Sequence, residues 1–319
     1  MIRSIVVPLD GSRFADRALP AAARIARASD ATLHLVMAQD PTQGLAPFTE
    51  FGPPSVLLME ELDRRHLMFL ERTATRLRRA GRIRVKTAHQ DGAAGRVIVR
   101  AAKSARAGLI VMSTHGRDAI GRLGLGSVAD YVVRHVDVPI LLVPARAGIP
   151  RAVPGRRVLV PLDLSRESWS VLDPLQDLAG AVGGAMRVTA LHVVEPIPML
   201  ALPSMPYPIS PDGSLAELQW EQARKQLKDF ETYARKRGLQ ATSRLVAGSR
   251  AGAAILDQLR TGRFDLIAMT THGYSGFRRL LLGSVTNKVI RHVSIPMLVI
   301  RPGAKPARKR TARPRRAKV

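Results

Sequence analysis

A duplication constrains this chain more than any other feature. The run Arg3-Ser-Ile-Val-Val-Pro-Leu-Asp10 returns as Arg156-Arg-Val-Leu-Val-Pro-Leu-Asp163. Leu33-His34-Leu35 matches Leu191-His192-Val193, and Thr114-His115-Gly116 matches Thr271-His272-Gly273. Leu125-Gly126-Ser127-Val128 comes back as Leu282-Gly283-Ser284-Val285, and Arg134-His135-Val136 as Arg291-His292-Val293. Asp163 lies 153 residues after Asp10 and His272 lies 157 after His115, so a few residues entered between the two. Gene duplication explains this better than convergence, and 319 residues suit two domains of ordinary size.

Each copy alternates short β-branched runs with longer helical patterns. In the first, strands are expected near Ile2–Val7, Ala31–Met37, Arg82–Ala88, Leu109–Ser113 and Val138–Val143. Helices are expected over Ser12–Ala28, Val56–Ala80, Ala93–Ala107 and Ser127–Val136. The second copy repeats the plan, with strands near Val158–Val160, Arg187–Val194, Thr242–Val246, Leu266–Thr270 and Met297–Ile300. Continuously apolar strands separated by amphipathic helices predict an α/β fold: two doubly wound domains, each a parallel sheet covered on both faces. Domains are placed at 1–145 and 156–301, with a linker at 146–155 inside the Pro, Gly and Arg-bearing stretch Pro144–Gly155. Proline-rich segments follow each second strand, Asp40–Pro54 and Glu195–Asp212, and read as lids, interfaces or mobile loops.

Composition removes several classes of chemistry. With no cysteine there is no disulfide framework, thiolate zinc site, iron–sulfur cluster or cysteine nucleophile. No signal peptide is visible, and no apolar run approaches the roughly 18 residues of a membrane helix, so a cytoplasmic protein with no membrane span is expected. The formal net charge is +25, which favours anionic partners: nucleotides, nucleic acid, polyphosphate or lipid headgroups. It does not choose among them, and compositional bias toward arginine accounts for part of the excess. Residues 302–319 hold no acid and no large aliphatic residue before Val319, so a disordered tail is expected, either contacting polyanions or merely solubilising.

No P-loop, zinc-protease or EF-hand pattern occurs. Gly124-Leu-Gly126-Ser-Val-Ala129 imitates a dinucleotide fingerprint, but no strand directly precedes it and the second copy has Leu281 at the first glycine. What remains is a constellation present twice. Asp10 and Asp163 close the first strands; Ser113 and Thr270 close the fourth, followed by Thr-His-Gly and then Gly-Ser-Val opening a helix. If the strand order is 3-2-1-4-5, the aspartate and the glycine loop converge on the crevice where strand order reverses. Ser127 and Ser284 are expected as N-caps of helices whose positive ends suit phosphate. The aspartates also suit plain turns, and His115 and His272 have no nucleophile to serve.

The V-P-L-D-[GL]-S start, L-H-[LV], T-H-G, G-S-V and R-H-V-x-[VI]-P endings together resemble the universal stress protein family, over residues 1–301 and in tandem. The resemblance implies a five-stranded adenine-nucleotide-α-hydrolase-like fold per copy. It implies ATP as a regulatory ligand with at most slow hydrolysis, with Mg2+ as a companion. Carried over, the nucleotide positions are Asp10, Leu35, Ser113, Gly116, Gly126, Ser127 and Val128, and Asp163, Val193, Thr270, Gly273, Gly283, Ser284 and Val285. Asp10 and Asp163 match the acid near ribose and metal, and Leu35 and Val193 the second-strand backbone that meets adenine. Ser113 and Thr270 stand where ATP-binding members have glycine, which is costly if that position needs φ above zero. The resemblance also implies that the last strands, Pro139–Val143 and Pro296–Ile300, join the copies into an internal pseudo-dimer, with homo-oligomers beyond it. Asp118 near the first glycine loop, against Arg278 and Arg279 near the second, leads us to expect tighter binding in copy two. The rival readings are a nucleotide-independent adaptor and a tail-mediated polyanion binder.

Overall fold

In the computed structural model, ten short runs, apolar except at the two outer strands, pair into one sheet. The structure describes residues 1–40, 56–114, 125–144, 156–182, 186–195, 213–271 and 282–302. The first half supplies β1 (Ser4–Leu9), β2 (Thr32–Gln39), β3 (Val85–Asp91), β4 (Leu109–Ser113) and β5 (Ile140–Val143). The second supplies β6 (Arg157–Pro161), β7 (Arg187–Val194), β8 (Gln240–Ala247), β9 (Leu266–Thr270) and β10 (Met297–Ile300). Helices α1 (Ala18–Ser29), α2 (Val56–Gly81), α3 (Ala94–Ser104) and α4 (Ser127–His135) belong to the first half. Helices α5 (Leu172–Val182), α6 (Gly213–Arg235), α7 (Ala251–Thr261) and α8 (Ser284–His292) belong to the second.

Across the sheet the strands run β3-β2-β1-β4-β5-β10-β9-β6-β7-β8, so each half has the expected 3-2-1-4-5 order. All neighbours within a half are parallel. Only β5 and β10 pair antiparallel, with Ile140 opposite Val299, Leu141 opposite Leu298 and Leu142 opposite Met297. Leu141 and Leu298 are counterparts in the repeat, so the pseudo-twofold axis passes through that pair. The antiparallel seam also sends the carboxyl ends of the two halves to opposite edges of the sheet.

Strands buried on both faces explain the continuous apolar runs. Every residue of β4, β5, β9 and β10 is buried. One apolar cluster takes Leu33, Leu35, Leu141 and Leu298 with α1, α2, α5 and α6; the other takes Val36, Ile140, Met297 and Val299 with α3, α4, α7 and α8. Both clusters cross the seam. There α1 packs on α5, the Met1 amino group pairs with Asp177, and the Arg301 guanidinium donates to the Arg134 carbonyl and Asp137 at 3.3 Å each. At the outer edges, Arg78 donates to the Val85 carbonyl of β3 at 2.9 Å, and Arg235 to the Ala241 carbonyl of β8 at 2.8 Å.

Local chemistry moves several boundaries from their expected places. The first helix does not start at Ser12: side chains there hold the chain in a turn, a 3-10 segment follows at Ala15–Arg17, and α1 begins at Ala18. Strand β3 starts at Val85 because Arg82 takes φ 50°, closing α2 with a left-handed residue. Arg106 at φ 46° ends the α3 segment short of Ala107 in the same way. Expectations for the long proline-rich loops, the linker and the tail lie outside the described residues.

Leu298 is 1 % exposed at the seam and Leu218 is 60 % exposed on α6. Leu298→Ala should cost about 2–5 kcal/mol, as burial of this kind does. Leu218→Ala should stay within about 0.5 kcal/mol, both read from urea midpoints.

Candidate functional site

The carboxyl edge of each half gathers the ends of its first, second and fourth strands around the start of its fourth helix. At the end of β1, Asp10 Oδ1 accepts the Ser12 N–H at 2.8 Å, and Ser12 Oγ accepts the Ala15 N–H at 3.2 Å. Asp163 Oδ1 accepts both the N–H and the hydroxyl of Ser165, at 3.1 and 2.6 Å, and Ser165 Oγ accepts the Ser168 N–H at 3.2 Å. The aspartates thus form turns, and the same bonds fix each carboxylate at the strand end. The following residue is left-handed in both copies, Gly11 at φ 78° and Leu164 at φ 64°.

Ser113 and Thr270 are ordinary strand residues, buried at 7 and 8 % exposure. Among the described non-glycine residues, only Asp30, Arg82, Arg106 and Leu164 have positive φ. The strain considered for Ser113 and Thr270 is therefore absent. One residue on, the Thr114 carbonyl accepts the Gly126 N–H at 2.8 Å, and the Thr271 carbonyl accepts the Gly283 N–H at the same distance. These bonds tie the helix starts of α4 and α8 to the ends of β4 and β9. They also correct the expected caps. Gly126 and Gly283 are the N-caps, because their carbonyls accept the Asp130 and Asn287 N–H groups at 2.8 Å. Ser127 and Ser284 are first helical residues, and no side-chain capping bond forms. The N–H groups of Ser127 and Val128, and of Ser284 and Val285, fall in the first turn, where no intrahelical carbonyl exists for them. A Cβ on Gly283 would sit 3.2 Å from the Thr271 oxygen, so close approach, not φ, calls for glycine there.

The second strand brings a larger correction. Ser4 pairs with Thr32 and Arg157 with Arg187, so Thr32 and Arg187 are counterparts, as are Leu35 and Ala190. The Gly92 N–H reaches the Gln39 carbonyl (2.8 Å) and the Gly248 N–H the Val194 carbonyl (3.1 Å), which repeats that register. The match of Leu33-His34-Leu35 to Leu191-His192-Val193 is thus three residues out, and the counterpart of Val193 is Ala38. Backbone groups alternate sides along a strand. The Leu33 N–H bonds to Arg84 of the β3 side, so Leu35 also faces β3, mid-ladder and fully buried. Ala38 faces β1, which ends at Leu9, and Val193 faces β6, which ends at Pro161. Their carbonyls therefore open past those strand ends into the crevice. Gly116 and Gly273, like His115, His272, Asp118, Arg278 and Arg279, lie outside the described residues.

Two neighbours escaped the sequence reading. Thr286 donates its hydroxyl to the Thr270 carbonyl at 3.0 Å, a buried tie that Ala129 cannot make in the first copy. Asp16, in the turn after Asp10, has a buried Oδ1 with no hydrogen-bond partner among the described residues. Burial raises its carboxyl above the usual range, against the pull of Arg76 and with help from the Asp10 charge. Its counterpart is Trp169, which stacks edge-on against Phe230 with centroids 5.7 Å apart. No cluster of three or more His, Asp or Glu suited to a metal ion occurs among the described residues, and no described helix is long and apolar enough to cross a membrane.

Gly11→Ala should cost about 1 kcal/mol in thermal or urea unfolding, because its φ is strained for any residue with a Cβ. A raised folded carboxyl binds its proton more readily than the unfolded one, so Asp16 subtracts stability above its folded titration. Asp16→Asn should accordingly melt higher than the parent at neutral pH. The gap should close as pH falls below the unfolded carboxylate range, and a variant that melts lower at pH 7 contradicts this assignment.

The model of the universal stress protein family matches residues 1–144 and again residues 155–301. A universal stress protein of Mycolicibacterium smegmatis is 26 % identical over 306 residues, covering 93 % of this chain and 97 % of its own. One from Mycobacterium tuberculosis is 24 % identical over 325 residues, covering 95 % of this chain and 96 % of its own. The crystal structure of a universal stress protein from Archaeoglobus fulgidus superimposes with a TM-score of 0.63 at 18 % identity, covering 94 % of this chain and 96 % of that one, a likeness of fold.

Proposed function

This chain belongs to the universal stress protein family, and from that premise we propose that it is a cytoplasmic stress-response regulator that binds ATP at the carboxyl edge of each half. The observation that carries the reading is the doubled helix anchor. In both halves a glycine N–H bound to the strand-end carbonyl holds a helix start, with its open first-turn N–H groups, beside an aspartate at the end of the neighbouring strand. A helix start of this kind suits phosphate through its N–H groups and dipole. In this reading Ser127 and Val128, or Ser284 and Val285, receive phosphate. Asp10 or Asp163 meets the ribose and cation, and the Ala38 or Val193 backbone meets the adenine edge. Gly116 and Gly273 complete the phosphate loops, and further association of chains belongs to the same proposal.

The donor set fits Mg2+ in one way. Magnesium accepts one or two carboxylates when nucleotide phosphates and water complete its shell. Each crevice offers one aspartate at the strand end, already oriented by the serine two residues on. The ion would neutralise phosphate charge; Asp10 and Asp163 would orient it. The sequence pattern holds no Walker lysine and no dedicated water-positioning base, so in this reading turnover should stay at or below roughly 0.01 s⁻¹, the range of weak intrinsic nucleotide hydrolysis.

Acid extraction of the purified, undialysed protein, followed by chromatography with mass detection, should release adenine nucleotide. Titration calorimetry of the emptied protein with Mg-ATP should then show binding that weakens about tenfold in Asp163→Ala. An empty extract together with flat calorimetry in the parent rejects the nucleotide reading and leaves the adaptor reading in its place.

A further inference from the structure

The second half presents two helix starts side by side at its carboxyl edge. Helix α7 begins at Ala251 with Arg250 as N-cap, and α8 begins at Ser284 with Gly283 as N-cap. They run close together: a Cβ on Gly252, in the first turn of α7, would lie 2.9 Å from the Lys288 side chain of α8. Each end carries first-turn N–H groups without α-helical acceptors and the positive pole of a helix dipole. The α7 end adds the exposed Arg250 guanidinium next to Ser249. By charge alone, a polyphosphate arriving at this edge has two competing places to sit.

Glu195 breaks the tie. It is the first residue past β7 and lies two positions after Val193, whose carbonyl opens into the crevice. Its Oε1 accepts the Ala251 N–H at 2.8 Å, so a carboxylate of the protein already occupies the start of α7 in the manner of a bound anion. Among the described residues, no side chain caps the start of α8. We infer that Glu195 fixes which way round a nucleotide lies in the second crevice. Its charge turns phosphates away from α7 and leaves them α8, so that the base points toward β7 and β8. Glu195 is a positioning residue in this scheme, setting orientation by repulsion. The register makes Asp40 its counterpart, an acid at the same strand end in the first half.

The inference rests on the nucleotide reading, but its test includes a probe that carries no base. Full-length parent, Glu195→Gln and Glu195→Ala are titrated by calorimetry with sodium tripolyphosphate and, separately, with Mg-ATP. Glutamine keeps an oxygen for the Ala251 N–H and removes only the charge, so the fold is kept while the anion is lost. Tripolyphosphate should bind Glu195→Gln at least fivefold more tightly than parent, and the preference for ATP over tripolyphosphate should fall. Glu195→Ala, if it folds, should share the gain. A merely structural cap predicts loss of stability in Glu195→Ala with the ATP-to-tripolyphosphate ratio unmoved. Unchanged or weaker tripolyphosphate binding in Glu195→Gln overturns the inference, even where the parent binds ATP well. A gain in tripolyphosphate binding where neither protein takes ATP upholds the charge assignment at α7 and rejects the nucleotide reading.

Discussion

The antiparallel pairing of β5 with β10 organises everything else in this molecule. Two parallel half-sheets meet there along strands whose every residue is buried. Because Leu141 faces its own counterpart Leu298, the junction is close to symmetric, and both apolar clusters continue through it. The seam also reverses strand direction. The described parts of each crevice accordingly come from its own half, at opposite edges of one sheet.

Much of this was legible in the residues. The alternation of apolar runs and amphipathic stretches predicted parallel sheets covered on both faces, and the 3-2-1-4-5 order taken as a condition is the order each half has. The aspartate, the Gly-Ser-Val turn and their convergence followed from that order. The second strand was not legible in the same way. L-H-L and L-H-V look alike as letters, yet the hydrogen-bonded partners place them three residues apart, and an odd shift exchanges the two sides of a strand. Only pairing reveals that Ala38, with just a methyl group to advertise it, holds the place Val193 holds in the other half. Ser127 and Ser284 misled for a related reason. Serine favours the cap, but the carbonyls of Thr114 and Thr271 engage the preceding glycines and set the helix start one residue earlier. The turns at Asp10 and Asp163 similarly delayed the first helix, since each passes through a left-handed residue, Gly11 or Leu164, held by bonds from the aspartate to the serine beyond it.

Fusion of the copies into one chain has released them from symmetry. In a homodimer each substitution appears twice about the axis. Here Arg301 bonds to Asp137 across the seam, whereas the reciprocal positions are Pro144 and Ser294. Thr286 braces the second glycine turn where the first has Ala129, and Trp169 fills the place where Asp16 keeps a half-buried carboxylate. The halves have kept one architecture while the surroundings of their crevices have diverged.

The arginines at the two ends of the sheet settle a different matter, namely where the sheet stops. A row of strands is a template for growth in one dimension, and fusion has spent the inner edges on each other. Among the described strands, the outward N–H and carbonyl groups of β3 and β8 remain as points of extension. Arg78 and Arg235 each engage one of them with a cation that an incoming strand would have to displace and leave without its acceptor. Each outer strand thus carries one cationic obstacle to pairing, at Val85 on β3 and at Ala241 on β8.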